Sequence, residues 1–355
     1  DEAGILVMAE LPVAYTMYLL PHRDFLRKEL ARILRLHRNH PSFLSLAFGN
    51  EFNLRWLKTE QERQTFRETV EEFYRVGKSI DPHRLLLSND GYVMRPTDMV
   101  SLFRDPPGDV PAVRHEFGNY YCSLPDISLI DRFTGVLVPS WLEEKKRWVE
   151  RSALLELYPT LLRNSQRLLH LGHKYQIERA RMLREFTGYH YWLIVDFPGG
   201  TGEGDSWEEG WFDYFWRPKG VTPEQGRELN AAVLLIAGAG VNDRTMWNGA
   251  RKRIPVDVSN YGDADIESGA LSWQLLENGR RVSGGEASGI TAPLGEVSRI
   301  AEIEVEAPSG DSARQLELVI TLRSAQATHV NRWSLWTFPR EGLLQRAGIP
   351  VTARV

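Results

Sequence analysis

Two glutamates stand where apolar runs of the sequence stop. Glu51 ends residues 40–51, which read HPSFLSLAFGNE, and Glu116 ends residues 110–116, which read VPAVRHE. In a barrel of parallel strands, residues at the carboxyl ends of the strands line the active site, so two such carboxylates can face one pocket. A carboxylate pair suits glycosidic bond cleavage, in which one group attacks the anomeric carbon and the other protonates the leaving oxygen. The alternative is that each glutamate simply ends a strand in water, because glutamate is common and usually exposed.

Up to about residue 220, the sequence around these glutamates alternates short apolar runs with longer amphipathic stretches. This rhythm is typical of strands followed by crossover helices, and it predicts an α/β fold. Predicted helices cover residues 23–37, 60–80 and 141–186, the last interrupted at Pro159. Six segments are predicted strands, namely residues 5–10, 44–49, 85–89, 99–103, 112–116 and 189–196.

The C-terminal part of the sequence changes to short runs in which apolar and polar residues alternate. No helical period occurs there, and turn residues such as Asn278-Gly279 separate the runs, so we expect an all-β sandwich. Between the two parts, Pro223 opens a predicted connecting helix that Gly238 and Gly240 close. The predicted sandwich strands are residues 253–259, 271–277, 300–305, 315–322 and 332–338.

The composition and charge of the chain argue against several kinds of binding partner. The 355 residues carry 43 Lys and Arg against 47 Asp and Glu, a net charge of −4, which offers no basic surface for nucleic acid. No stretch reaches the roughly 18 apolar residues of a membrane helix. The nine histidines are scattered without a carboxylate-rich companion, and no glycine-rich phosphate loop occurs, so we expect neither a metal nor any other cofactor. The single cysteine, Cys122, cannot form an internal disulfide.

Four segments resemble glycoside hydrolase family 2, which includes β-galactosidases, β-glucuronidases and β-mannosidases. His40-Pro41-Ser42 followed by an apolar run and Gly49-Asn50-Glu51 resembles the acid/base segment, which ends barrel strand 4 in that family. The segment HEFG at residues 115–118 is similar to the nucleophile strand, strand 7. Residues 1–10 and 188–196 are similar to strands 3 and 8, so the four motifs occur in the family's order. The resemblance covers roughly the first 220 residues and implies a (β/α)₈ barrel.

The resemblance implies a retaining, double-displacement hydrolysis, with Glu51 as the general acid/base and Glu116 as the nucleophile. Asn50 would bond the sugar 2-hydroxyl, a contact that strengthens as the ring becomes oxocarbenium-like. A turn or capping role is the alternative for Asn50. His115 is expected to point away from its neighbour and to be buried against a helix, because successive residues of a strand face opposite sides.

Further residues are candidates for sugar binding by the same resemblance. Trp192 and Asp196 lie four residues apart in the segment similar to strand 8, and core packing is the alternative for the tryptophan. Asn119 and Tyr120 follow the nucleophile segment and are placed to reach a hydroxyl. Trp207 belongs to an aromatic-rich stretch whose rings could stack on a sugar, although we expect most of them to pack between domains.

The sugar is assigned by elimination. The family's β-glucuronidases carry an Asn-x-Lys element near strand 8, and none occurs between Asp196 and Lys219. Residues 217–219, RPK, resemble a segment common across the family and do not argue for an acidic sugar. A β-galactosidase-like, exo-acting hydrolase is therefore the first expectation. A β-glucuronidase, a β-mannosidase, another family of retaining barrel hydrolases and a non-catalytic carbohydrate-binding remnant are the alternatives.

Six predicted strands fall short of the eight that a closed barrel needs. Family members also place a jelly roll and an immunoglobulin-like domain before barrel strands 1 and 2, whereas this chain resembles strand 3 from its first residues. We therefore expect residues 1–221 to form a barrel domain that lacks its first two strands, followed by the connector 222–242 and an immunoglobulin-like sandwich over 243–355. The chain would then be part of a longer enzyme, or a truncated gene product with impaired activity. Its missing N-terminal domains, or a second copy of the chain, would be its protein partners. Its compartment is open, with the periplasm and secretion among the alternatives.

Overall fold

The computed structural model describes residues 1–2, 5–117, 121–198, 208–238, 240 and 243–340. These fall into two compact units, one formed by residues 1–119 and 183–193 and the other by residues 120–182 and 194–355. The first unit holds both candidate catalytic glutamates. The predicted domain limits at residues 221 and 243 stay a prediction.

The strands of the first unit are short and parallel. They form two sheets in which neighbours follow chain order, β1-β2-β3 and β4-β5-β6-β7. Every one of the six predicted segments contains a strand, and a two-residue strand is added between the third and fourth. The mixed α/β class with parallel sheets is thereby confirmed, while the six-stranded part of a barrel stays a prediction. The strands are β1 (Val7–Glu10), β2 (Phe43–Ala47), β3 (Leu85–Leu87), β4 (Asp90–Gly91), β5 (Val100–Leu102), β6 (Ala112–Phe117) and β7 (Gly188–Tyr191).

Two long helices cover the sheet β1-β2-β3. Helix α2 (Glu60–Ile80) has the predicted limits, and a capping box between Thr59 and Glu62 satisfies its first backbone N–H groups. Helix α1 (Thr16–His37) begins seven residues earlier than predicted and contains Pro21. Proline there removes only one backbone donor, and the leucines at positions 19, 26, 30 and 34 are at most 1% exposed, so their burial outweighs that loss.

The second unit begins with helices. The predicted helix 141–186 is two helices, α3 (Ser140–Arg151) and α4 (Tyr158–Met182), and Pro159 lies in the first turn of α4, where a missing N–H costs little. The connecting helix is shorter than predicted, because only α5 (Pro223–Leu229) is helical. Residues 233–237 form a strand instead: their apolar side chains are largely buried, and their backbone pairs with residues 256–260.

The C-terminal residues form two sheets that share one apolar core. Their orders are β13-β10-β8 and β12-β11-β14-β15-β9, antiparallel except for the pair β9 and β15. The prediction missed the glycine-rich strand β12, although it placed the turn Asn278-Gly279 that leads into it. The immunoglobulin-like topology stays a prediction. The strands are β8 (Val233–Ala237), β9 (Thr245–Trp247), β10 (Arg251–Asn260), β11 (Ile266–Glu277), β12 (Arg280–Ala292), β13 (Glu296–Glu306), β14 (Arg314–Arg323) and β15 (Thr328–Phe338).

Within the described ranges, none of the helices combines the length and apolarity that a membrane crossing would require.

Candidate active site

The two candidate glutamates lie at the carboxyl ends of parallel strands in the first unit. Glu51 follows β2, and Glu116 is the penultimate residue of β6. Both side chains are half-buried, and oxygens of the two carboxyl groups lie within 4.8 Å of each other. The backbone of each is in the left-handed region, with φ of 52° at Glu51 and 41° at Glu116. Such angles are uncommon for residues with long side chains and tend to occur at functional sites.

The backbone around Glu51 is held by the neighbouring strands. Its N–H donates to the carbonyl of Asp90 over 2.7 Å, and the N–H of Asp90 donates to the carbonyl of Gly49 over 3.0 Å. Gly49 has φ +152°, and a Cβ there would lie 2.3 Å from the ring of Phe52 and 2.6 Å from the carbonyl oxygen of Val13. Only glycine fits this approach. The close packing and these hydrogen bonds therefore hold the backbone on both sides of Asn50, immediately before Glu51.

Asn50 presents an unused acceptor beside Glu51. Its backbone is held on both sides, donating to the carbonyl of Val13 over 3.1 Å and accepting from the N–H of Tyr15 over 2.8 Å. Its side-chain oxygen is buried and has no hydrogen-bond partner among the described residues. A buried acceptor without a partner is costly, so this oxygen is suited to accept a hydrogen bond from a ligand hydroxyl.

Beneath Glu116 lies a buried polar network that no motif predicted. Nδ1 of His115 lies 2.6 Å from Oδ1 of Asp90, and the hydroxyl of Ser101 lies 2.8 Å from Nε2 of His190. The same Asp90 oxygen is 3.4 Å from Nε2 of His190. Burial favours the neutral acid, but hydrogen bonds from the two histidines outweigh it and hold the pKa of Asp90 well below its usual range.

The expected orientation of His115 is wrong. Its ring is buried, as expected, but it packs against the network and brings Nε2 within 3.6 Å of the Glu116 carboxylate. The physical reason is the left-handed backbone at Glu116 together with a register shift between residues 114 and 117 of β6. Both interrupt the alternation on which the expectation rested, so His115 and Glu116 lie on the same side.

The carboxyl groups of the site influence one another. Burial and the charge of Glu51 raise the pKa of Glu116, while the charge of His115 opposes that rise. Glu10, the last residue of β1, has its pKa raised to about 8 by loss of hydration in this concave site and by the charges of Asp90 and Glu116. The surface of Glu10 is nevertheless exposed to water, so the charges of Asp90 and Glu116 are partly screened there. Sequence reasoning missed Glu10, although its position at the end of a parallel strand was the available signal.

Histidines that are far apart in the sequence meet here in a set of groups that could bind a metal ion. One nitrogen each of His115 and His190 and an oxygen of Asp90 lie within 4.8 Å of one another. The separation of 2.6 Å between His115 and Asp90 is, however, that of a strong hydrogen bond. Two ligands of one zinc ion lie about 3.3 Å apart, given tetrahedral bonds of about 2.0 Å. The expectation that no metal is needed therefore stays a prediction.

The other predicted sugar-binding residues have different positions. Trp192 follows β7, is half-buried, and donates its backbone N–H to the carbonyl of Phe117, the residue after the candidate nucleophile, over 3.1 Å. Asn119, Tyr120 and Trp207 lie outside the described residues. Of the predicted positions, the structure therefore brings Asn50, Glu51 and Glu116 into one region of the first unit, with Trp192 bonded to the strand of Glu116.

Asp196 belongs to the second unit and is bound to other protein groups. Its Oδ1 accepts hydrogen bonds from Nζ of Lys219 over 2.7 Å and from the N–H of Gly210 over 2.9 Å. Burial raises the pKa of Asp196 to about 7, against the opposing effect of Lys219. Burial likewise lowers the pKa of Lys219. These contacts give Asp196 a structural role within its unit, and its predicted contact with sugar stays a prediction.

Comparison with known proteins finds one matching domain family and solved structures of low sequence identity. Residues 251–339 match a domain of unknown function, DUF8488. No curated protein matches the chain. Among solved structures, β-glucuronidase 3 of Bacteroides uniformis is 14% identical, with a TM-score of 0.48 over 96% of this chain and 42% of that one. A β-galactosidase candidate of Bacteroides fragilis is 12% identical, with a TM-score of 0.43 over 96% of this chain and 47% of that one.

The exo-chitosanase CsxA of Amycolatopsis orientalis is 12% identical, with a TM-score of 0.50 over 88% of this chain and 38% of that one. The chain thus spans less than half the length of each of these three proteins. At such identities the likeness concerns the fold alone. Over most of its length, the chain has the fold of part of this exo-chitosanase.

Proposed function

We propose that this chain carries the catalytic glutamate pair of a retaining β-glycoside hydrolase. The observation that supports this most directly is the approach of the Glu51 and Glu116 carboxyl oxygens within 4.8 Å. Retaining glycosidases hold their two carboxyl groups about 5–5.5 Å apart, whereas inverting enzymes need about 6.5–9.5 Å to admit a water molecule between carboxylate and sugar. The close approach of the pair supports direct attack by a carboxylate over the inverting route.

In the proposed reaction Glu116 attacks the anomeric carbon while Glu51 donates its proton to the leaving oxygen. The bond from the sugar to the leaving group breaks, and an ester bond forms between the sugar and Glu116. Glu51, now ionised, removes a proton from water, which attacks the same carbon and releases Glu116. The assignment of the two roles follows the family resemblance of their segments.

Asn50 contributes binding that grows as the reaction proceeds. Its unpartnered side-chain oxygen can accept a hydrogen bond from a sugar hydroxyl next to the reacting carbon. Such a bond strengthens as positive charge develops on the ring, so it lowers the barrier more than it tightens ground-state binding. Trp192 is proposed as an aromatic wall of the same site.

The charges of the site bear on the choice of sugar. Burial and neighbouring carboxylates raise the pKa of both Glu10 and Glu116, so the site already disfavours additional negative charge. A uronate would bring a further negative charge to this site, whereas a neutral sugar would not. This supports a neutral β-galactoside, cleaved from the end of its chain, over a β-glucuronide. A β-glucosaminide is a second candidate, because its ammonium group would be attracted by the same carboxylates, and a β-mannoside is the other neutral alternative.

The experiment is a panel of aryl β-glycosides, comprising galactoside, glucuronide, mannoside and glucosaminide, assayed with the wild-type protein and with Glu51→Gln and Glu116→Gln. We expect each variant to lose about 10²–10⁴-fold in kcat/KM on its best substrate. Glu71→Gln, on the exposed face of α2, is the matched control and should keep wild-type activity.

Added azide distinguishes the two roles. In Glu51→Gln it can replace the water that no longer has a base, so turnover should recover and yield a β-glycosyl azide. Glu116→Gln should not recover in this way. Unchanged turnover in either glutamine variant would remove that residue from the proposal, and sugar binding without hydrolysis by the wild type would favour a carbohydrate-binding role instead.

A further inference from the structure

Arg244 is a fully buried charge with no side-chain hydrogen bond to any described residue. It precedes β9 in the second unit and is 1% exposed, yet none of its three guanidinium nitrogens has a hydrogen-bond partner among the described residues. A guanidinium carries five N–H donors and stays charged at any ordinary pH. Burying such a group without an anion costs several kcal/mol, so its environment calls for one.

The nearby carboxylate of Glu178 is already bound by other groups. It lies 2.6 Å from Nζ of Lys174 and accepts hydrogen bonds from Asn331 over 3.1 Å and from the indole N–H of Trp333 over 3.0 Å. All four of these residues are buried. The charge of Glu178 acts on Arg244 from a distance, but its oxygens are committed to this network.

Arg244 lines a cavity of about 300 Å³ inside the second unit. Residues of α4, α5 and the strands β14 and β15 form the other walls. Arg332, the other arginine of the lining, is exposed and pairs with Glu228 over 2.7 Å. His170 also lines the cavity, and its Nδ1 is buried without a partner in the described part of the chain. The cavity therefore contains one unpaired guanidinium and one unpaired imidazole nitrogen.

We propose that this cavity binds a small monocarboxylate, held by Arg244 through paired N–H···O bonds and by a further hydrogen bond from His170. The planar fork of a guanidinium matches the two oxygens of a carboxylate, which can accept two parallel N–H bonds from the buried Arg244. Of the acidic residues that line the cavity, Glu224 pairs with Arg227 and Glu228 pairs with Arg332, whereas the exposed Glu317 has no ion pair among the described residues. Its charge repels a dianion such as phosphate or sulfate more strongly than a monocarboxylate. The volume lies at the small end of ligand pockets, which fits a short-chain acid.

The probe for this site is acetate. The melting temperature of the protein is measured in sodium acetate, propionate, phosphate and chloride at equal ionic strength and pH. Binding to the folded state alone raises the melting temperature with the logarithm of ligand concentration. We expect acetate and propionate to raise it, and phosphate to behave as chloride does. Titration calorimetry should show acetate bound at least about tenfold more weakly by Arg244→Met than by the wild type.

Two further variants keep the test decisive. Arg332→Met removes a cation from the same cavity that is already paired, and it should keep the acetate effect. If Arg244→Met does not fold, Ser334→Phe serves in its place, because its ring would fill the cavity and leave Arg244 intact. We expect Ser334→Phe to lose the acetate effect. The proposal would be overturned if acetate and chloride changed the melting temperature of the wild type equally, or if phosphate raised it instead of acetate. It would also be overturned if the acetate effect survived in Arg244→Met or Ser334→Phe. None of these readouts depends on glycosidase activity.

Discussion

Replacing Glu10 by glutamine is expected to remove a penalty that the folded protein carries at alkaline pH. The pKa of this carboxyl is raised from 4.5 to about 8. Between these values the folded state keeps a proton that the unfolded state has lost, so stability falls as pH rises and levels off above about 8. Without solvent screening, this shift would amount to about 5 kcal/mol. Because Glu10 is exposed to water, screening reduces the expected effect to about 1 kcal/mol or less.

The assay is the melting temperature of the wild type, Glu10→Gln and the control Glu71→Gln between pH 4.5 and 9. Glutamine has nearly the shape of the protonated acid and cannot ionise, so Glu10→Gln and the wild type should agree near pH 4.5. The wild type should then lose stability relative to Glu10→Gln as pH rises to 8, while Glu71→Gln follows the wild type. Parallel curves for the wild type and Glu10→Gln across this range would refute the raised pKa and the concave acidic site behind it.

Four other predictions concern the same site. Asp90→Ala should lower the free energy of unfolding by about 3–5 kcal/mol in urea denaturation, because His115 and His190 lose their buried acceptor. A loss below about 1 kcal/mol would contradict the role of Asp90 as the acceptor that these histidines share. Gly91→Ala should reduce kcat/KM, because a Cβ there would lie 3.2 Å from both Glu51 and His115 at φ +97°, and wild-type kinetics would contradict this. On an uncharged aryl glycoside, kcat/KM should fall at acid pH with an apparent pKa above 4.5, because the pKa of Glu116 is raised and its ionised form is the nucleophile. An apparent pKa below 4.5 would argue against the assignment. EDTA should leave activity unchanged, and a loss that zinc or magnesium restores would show a metal at the histidine network.

Local pattern was sufficient for most of the fold. Apolar runs located the parallel strands, because a strand buried on both faces is apolar along its length. The amphipathic period and the Thr59 capping signal located α2. Pattern failed where tertiary burial outweighs local propensity. Helix α1 runs through Pro21 because its leucine face is buried, and Val233–Ala237 is a strand because the antiparallel partner β10 takes up its backbone hydrogen bonds.

Some features of the candidate site could likewise be predicted from the sequence, whereas others depend on the tertiary structure. The sequence alone determined the identity of the two glutamates, their positions at strand ends and the presence of Asn50 beside one of them, because those features depend on residue type and short spacing. Only the tertiary structure decided that the carboxyl oxygens of Glu51 and Glu116 lie within 4.8 Å of each other and that Asp90, His115 and His190 meet. It also decided that His115 turns toward Glu116, through a left-handed backbone that strand alternation cannot predict. Only the tertiary structure shows that the guanidinium of Arg244 has no hydrogen-bond partner among the described residues, because the groups that could pair with it are far away in the sequence.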